Sequence, residues 1–218
     1  MTPKILIGCP TYEGKSYCFD EYAKGIKDID YDNFDVLLAD NSKTDDYFNK
    51  IKQKLPAIKA EFNENPKENI INSRNILRQR FLEGNYDYFL SLEQDIIPPK
   101  DIIKKLLLHK KDIIAGHYIV PKVINGKQIA VSTVLIRNSN GKLITLPREL
   151  SEQKELIKIE ACGLGCVLIS RKVLEKIKFR YEKEKPAYDD MWFSKDAKEA
   201  GFEMFLDPTV KCRHLIRK

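Results

Sequence analysis

The sequence has no apolar run long enough to cross a bilayer. Its longest, such as Ile102 to Leu108, are cut by lysines and fall far short of the ~20 residues that a membrane-spanning helix needs. The opening Met1-Thr2-Pro3-Lys4 and the short apolar run after it lack the length of a signal-peptide core and a small-residue cleavage site, so the expectation is a cytoplasmic protein without a transmembrane segment. Cysteine is sparse and odd in number, five in 218 residues, which argues against a disulfide framework. Cys162 and Cys166 lie four apart, but no second pair and no nearby histidine completes a tetrahedral zinc set. There is no dense basic run either: 38 Lys and Arg are interleaved with 32 Asp and Glu, which excludes a nucleic-acid stripe. The net charge of +6 still suits anionic partners such as nucleotide phosphates or acidic lipid headgroups. No linker and no repeat divide the chain. With 43% hydrophobic residues at this length, one domain with a substantial core is expected.

What is present is periodicity. Lys4-Ile5-Leu6-Ile7-Gly8 and Phe34-Asp35-Val36-Leu37-Leu38-Ala39 read as buried strands, ended by Gly8-Cys9-Pro10 and by Asp40-Asn41-Ser42. Between them Phe19, Tyr22, Ala23 and Ile26 recur at helical spacing and predict a helix over 16–29. Strand, helix, strand predicts a parallel pair, and ligands of such sheets bind beyond the carboxyl ends of the strands. Here those ends are 9–15 and 40–44.

Asn65, Pro66 and Glu68 mark the start of a second helix that runs to about residue 82. A third strand over 86–92 delivers Glu93-Gln94-Asp95, Pro98-Pro99 opens another helix, and a fourth strand follows over 112–118. Asn125-Gly126 and Asn140-Gly141 are type I′ hairpin signals that bracket an antiparallel meander. Strands over 156–161, 167–169 and 202–206 and helices over 171–177 and 190–200 complete the chain, with Gly201 as a left-handed helix stop and a basic tail after it. The fold class is α/β, a mostly parallel Rossmann-like sheet with an antiparallel portion in the second half.

Glu93 and Asp95 are two apart in extended chain, so both project the same way and could reach one ion. Carboxylates suit Mg²⁺ or Mn²⁺, which take substrate phosphates as further ligands. Asp95 as a plain turn cap, with Glu93 solvated, is the alternative. Asp189 and Asp190 stand where a late helix begins, either as caps for its free N–H groups or, for Asp190, as an ionised carboxylate able to accept a proton. His109, amid lysines on an amphipathic helix, reads as solvated.

Taken together, Gly8-Cys9-Pro10-Thr11-Tyr12, Asp40-Asn41-Ser42, Ser73-Arg74-Asn75, the strand into Glu93-Gln94-Asp95, Gly163-Leu164-Gly165-Cys166 and Asp189-Asp190-Met191-Trp192-Phe193 resemble a family 2 type glycosyltransferase of the GT-A fold. The resemblance covers almost the whole chain in the family's order. It implies a single GT-A-like domain over 1–218, with a nucleotide-binding half at 1–97 and an acceptor-side half at 98–218. It implies a hexosyltransferase-type enzyme that moves a sugar from a UDP- or GDP-sugar to a hydroxyl acceptor, with inversion and with Mn²⁺ or Mg²⁺ as cofactor. The acceptor class stays open among glycan, lipid-linked and protein, the lipid-linked one reached by peripheral membrane contact. No nucleic-acid partner is expected.

By the same resemblance Pro10, Thr11, Tyr12 and Asp40 hold base and ribose, and Arg74, Glu93 and Gln94 lie near the nucleotide. Asp95, Glu93 and His214 hold the metal, with glutamate standing where the family's Asp-x-Asp motif begins with aspartate. Asp190 is the general base. Gly163, Gly165, Asp189 and Trp192 lie on the acceptor side, with core packing as the alternative for Trp192. Two rival readings are a non-catalytic nucleotide-sugar binding protein and a sugar nucleotidyltransferase. The second calls for a Gly-rich basic loop after the first strand, where this chain has only Gly14 before Lys15.

Overall fold

The computed structural model describes residues 2–124 and 126–217; Met1, Asn125 of the first hairpin signal and Lys218 lie outside them. In chain order the first half comprises β1 (Ile5–Thr11), α1 (Phe19–Lys27), β2 (Phe34–Asp40), α2 (Asp46–Ile51), β3 (Ala57–Lys59), α3 (Pro66–Glu83), β4 (Tyr88–Leu92) and β5 (Ile96–Ile97). The second half adds α4 (Ile102–Leu108), β6 (Ile113–His117), β7 (Ile119–Ile124), β8 (Lys127–Ser132), β9 (Val134–Arg137), β10 (Leu143–Thr145) and α5 (Arg148–Ser151). It ends with β11 (Ile157–Ile159), β12 (Ala161–Cys162), β13 (Cys166–Ser170), α6 (Arg171–Lys176), α7 (Asp189–Glu199), β14 (Met204–Lys211) and β15 (Arg213–His214).

One eight-stranded sheet in the order β11-β14-β6-β13-β4-β1-β2-β3 crosses both halves of the chain. β1 is parallel to β2 and β4, and all seven of its residues are buried, which is why it reads as an unbroken apolar run. The antiparallel character enters the sheet through β13, which lies between β4 and β6, and through the edge strand β11 on β14. Two apolar layers cover the faces: Phe19, Tyr22 and Ile26 of α1 pack with Ile102 and Leu106 of α4 on one, and Leu77 and Phe81 of α3 pack with Val173 of α6 and Phe193 of α7 on the other. Packing against both faces leaves the strand ends as the place where polar loops converge.

Several expectations are corrected. The helix over 16–29 begins as a 3₁₀ turn at Glu13–Cys18, and only Phe19–Lys27 is α-helical. Pro98-Pro99 does not open α4, which starts at Ile102. The meander splits at Thr133: β7 and β8 form a separate ribbon, and β9 turns to pair with β10 and β12. Gly126, Gly141 and Gly201 have φ of +73°, +73° and +83°, as the turn and cap signals require. His109 is not free in solvent, since its Nε2 lies 2.9 Å from Asp207 Oδ2. The pair β5–β15 carried no sequence signal, yet it brings the tail back beside Asp95.

Candidate functional site

The carboxyl ends of β1, β2 and β4 open into a cleft of about 460 Å³. Pro10, Thr11 and Tyr12 line it from β1 and the loop that follows, and Glu93 and Gln94 line it from the turn after β4. Asn41 and Ser42, in the expected strand end at 40–44, also line it, and so do Asn69 and Tyr188, which the sequence had not singled out. A cavity of about 590 Å³ beneath the β7–β8 ribbon holds none of the paired carboxylates, whereas the smaller cleft has Glu93 in its wall and Asp95 bound to its wall residue Lys15.

The loop after β1 is tied to the end of β4 through Gln94, a buried side chain. Its Oε1 accepts from Thr11 Oγ1 at 2.5 Å and Tyr47 OH at 2.9 Å, and its Nε2 donates to the Lys15 carbonyl at 2.6 Å. Gln94 thus holds the cleft's two walls in register.

Asp40 does not reach the cleft. It is 0% exposed, with Oδ1 accepting from Ser42 Oγ at 2.5 Å and Oδ2 accepting from Lys59 Nζ at 2.9 Å. Lys59 leaves the end of β3 and turns the carboxylate inward, so Asn41 and Ser42 face the cleft instead. Arg74 is likewise enclosed: its Nε donates to Asp189, Nη2 to Glu93 Oε1 at 2.5 Å and Nη1 to Ser91 Oγ at 3.0 Å. A fork of donors on one planar cation fixes both acids at once.

Asp95 is enclosed at the end of β4, and its Oδ1 has no hydrogen-bond partner. Oδ2 takes the Lys15 ammonium and faces His214 Nε2 at 3.3 Å. His214 Nδ1 lies 3.2 Å from the Ile119 carbonyl and its Nε2 faces the Asp95 carboxylate, so both ring nitrogens meet acceptors. Burial alone would raise the Asp95 pKa, but His214 and Lys15 outweigh it and hold the carboxyl below its usual range.

The expected set of three metal ligands is not assembled. Among the described residues no three of His, Cys, Asp and Glu come together around one point, because Arg74 captures Glu93. The pair Asp95 and His214 does fit a divalent ion, by its orphaned oxygen and by its carboxylate and imidazole donors.

At the other side of Arg74, α7 opens with Asp189 and Asp190 in its first turn, and neither is the cap, a position held by Tyr188. Asp190 Oδ1 accepts from the Met191 N–H at 2.7 Å. Burial, and then the charge of Asp189, raise its pKa above that of an ordinary aspartate, which makes it a stronger base than a free carboxylate. Gly163 and Gly165 are where the Tyr118 ring packs down on the backbone, and the Gly165 N–H donates to its hydroxyl at 3.1 Å. Trp192 is buried with the Arg180 guanidinium 4.4 Å above its ring, a core contact rather than an open sugar platform.

No family model matches the chain, and neither does any curated protein. Solved structures do. A197 from STIV is 16% identical with a TM-score of 0.52, over 98% of this chain and 86% of that one. GalNAc-T7 with UDP, GalNAc and Mn²⁺ gives a TM-score of 0.68 at 12% identity, over 99% of this chain and 44% of that one. S. aureus TarS 1-349 in complex with UDP-GlcNAc gives 0.59 at 14% identity, over 99% and 60%. The chain spans less than two thirds of the last two. The fold is that of a GT-A glycosyltransferase.

Proposed function

We propose that this chain transfers a sugar from a nucleoside-diphosphate sugar to a hydroxyl acceptor. The observation that supports the reading is the cleft at the strand ends of a GT-A fold, walled by Pro10, Thr11, Tyr12, Lys15 and Glu93, with Asp95 bound to its wall residue Lys15 and Asp190 in the helix turn that follows its wall residue Tyr188. The solved neighbours GalNAc-T7, with UDP and Mn²⁺, and TarS, with UDP-GlcNAc, support a nucleotide-sugar donor.

In this reading the nucleoside lies against Tyr12, Asn41 and Ser42, and its diphosphate points towards Lys15 and Asp95. Asp190 accepts the acceptor hydroxyl proton as that oxygen bonds to the anomeric carbon, the bond to the diphosphate breaks, and the configuration inverts. A divalent ion such as Mn²⁺ or Mg²⁺, held by Asp95 and His214, would offset charge on the departing diphosphate. Arg74 keeps Glu93 and Asp189 fixed, which preserves the geometry of the cleft floor and of the base beside it.

Calorimetric titration with UDP and GDP tests the donor half of the reading. One of the two binds with a stoichiometry of one, and Tyr12→Ala weakens it. Failure of both to bind contradicts the proposal.

A further inference from the structure

Lys15 lies in the expected strand end at 9–15 but was given no role there, and among the described residues it is the basic side chain that lines the cleft. Its ammonium sits on Asp95 Oδ2, the oxygen that also faces His214 Nε2. The contact is built into the backbone. The Lys15 N–H donates to the Tyr12 carbonyl at 2.9 Å, and the Lys15 carbonyl accepts from Gln94 Nε2 at 2.6 Å and from Cys18 Sγ at 3.1 Å. A 3₁₀ turn pinned to the residue beside Asp95 therefore delivers the side chain, and the lysine also lines the cleft.

One carboxylate oxygen cannot serve an ammonium and a divalent ion at the same point, since two cations a few ångströms apart repel. The other oxygen, Oδ1, is buried and unpartnered. We propose that Lys15 is a resident counter-ion that competes with divalent metal for Asp95 and turns to the diphosphate when the donor binds. The long stem of lysine lets the ammonium change partners without moving the turn. Without nucleotide, Lys15 keeps the metal affinity low; with it, the released ammonium becomes a direct phosphate contact, so part of diphosphate binding does not depend on metal. This inference rests on the donor reading above, but its metal half does not.

The test uses the whole chain and three probes: Mn²⁺ alone, UDP or GDP in chelator, and UMP or GMP as controls. Lys15→Met keeps the apolar stem, Lys15→Arg keeps the charge, and melting curves confirm that both fold. Mn²⁺ alone, followed by calorimetry or by its paramagnetic resonance, binds the wild type and Lys15→Arg weakly and Lys15→Met roughly ten-fold or more tightly. In chelator the wild type prefers the diphosphate over the monophosphate, and Lys15→Met loses that preference. Equal Mn²⁺ affinity in wild type and Lys15→Met overturns the competition, and an unchanged diphosphate preference overturns the phosphate contact. If neither UDP nor GDP binds the wild type with or without Mn²⁺, the donor reading fails and takes the phosphate contact with it, while the Mn²⁺ arm still decides the competition.

Discussion

Arg74 and Asp189 are 115 residues apart and form an ion pair in which both side chains are enclosed, at 3% and 4% exposure. The pair locks the first turn of α7 to the middle of α3, and through Glu93 to the end of β4. Removing one member of such a pair strands the other charge in a low-dielectric setting. Arg74→Met is expected to lower stability by about 3–5 kcal/mol in denaturant unfolding. Arg74→Lys recovers only part, because an ammonium cannot span three acceptors in a fork. Equal stability of wild type and Arg74→Met would show that the pair contributes nothing.

For Asp190 the sign of its effect on stability separates a catalytic base from a merely structural residue. Its pKa is raised in the folded state, so folding favours the protonated form, and that advantage is lost as pH rises through the folded value. At neutral pH the ionised carboxylate is therefore a net cost. Asp190→Asn removes that cost and keeps an oxygen for the Met191 N–H, so the melting temperature at pH 7 holds or rises. Sugar transfer meanwhile falls by about 10² to 10⁴. A fall in melting temperature with near-normal transfer would make Asp190 a structural residue.

His117 supplies a pH dependence in the opposite direction. It is buried with Nε2 3.1 Å from Ser132 Oγ, and burial, then Lys211, lowers its pKa. Stability from its neutral form is present above the free-histidine pKa of about 6.5 and falls as pH drops through the folded value. Melting temperatures taken between pH 8 and 5, ordinary working limits on the order of this group's range, should decline in the wild type and flatten in His117→Gln. Parallel profiles would assign the decline to other groups.

Gly163 lies under the Tyr118 hydroxyl, where an added methyl has no room. Gly163→Ala is expected to destabilise by about 1–3 kcal/mol. Adding Tyr118→Phe removes the atom in the way and should recover part of the loss, a coupling that a double-mutant cycle measures. Additive losses would mean that the two residues do not meet.

The parts of the fold that were legible in sequence are those whose causes are local. β1 and β2 are continuous apolar runs, α3 carries its cap at Asn65 and proline at the first position, and Gly201 stops α7. Pro10 and Thr11 at the end of β1 and Tyr12 just after it line the cleft, at the strand end where a ligand was expected. What was not legible depends on partners far along the chain. Asp40 faces away because Lys59 draws it, Glu93 leaves the metal point because Arg74 holds it, and Trp192 is covered because Arg180 stacks on it. Lys15 had a faint signal, one basic residue after Gly14 in the loop beyond the first strand, but its meaning appears only when the 3₁₀ turn sets it on Asp95. The short pair β5–β15 has no periodicity to read, and with the Leu215 N–H on the Asp95 carbonyl it explains how His214, 119 residues on, meets Asp95.

The central claim is that the cleft binds a nucleoside-diphosphate sugar and that Asp190 drives its breakdown by an acceptor. It is tested most directly by release of nucleoside diphosphate from a panel of UDP- and GDP-sugars incubated with the protein, Mn²⁺ and a mixed hydroxyl-acceptor pool. The account predicts release from at least one donor by the wild type, and release slower by about 10² or more by Asp190→Asn although that variant binds the same donor with wild-type affinity. Donor binding without release by either protein, or equal release by both, would contradict it.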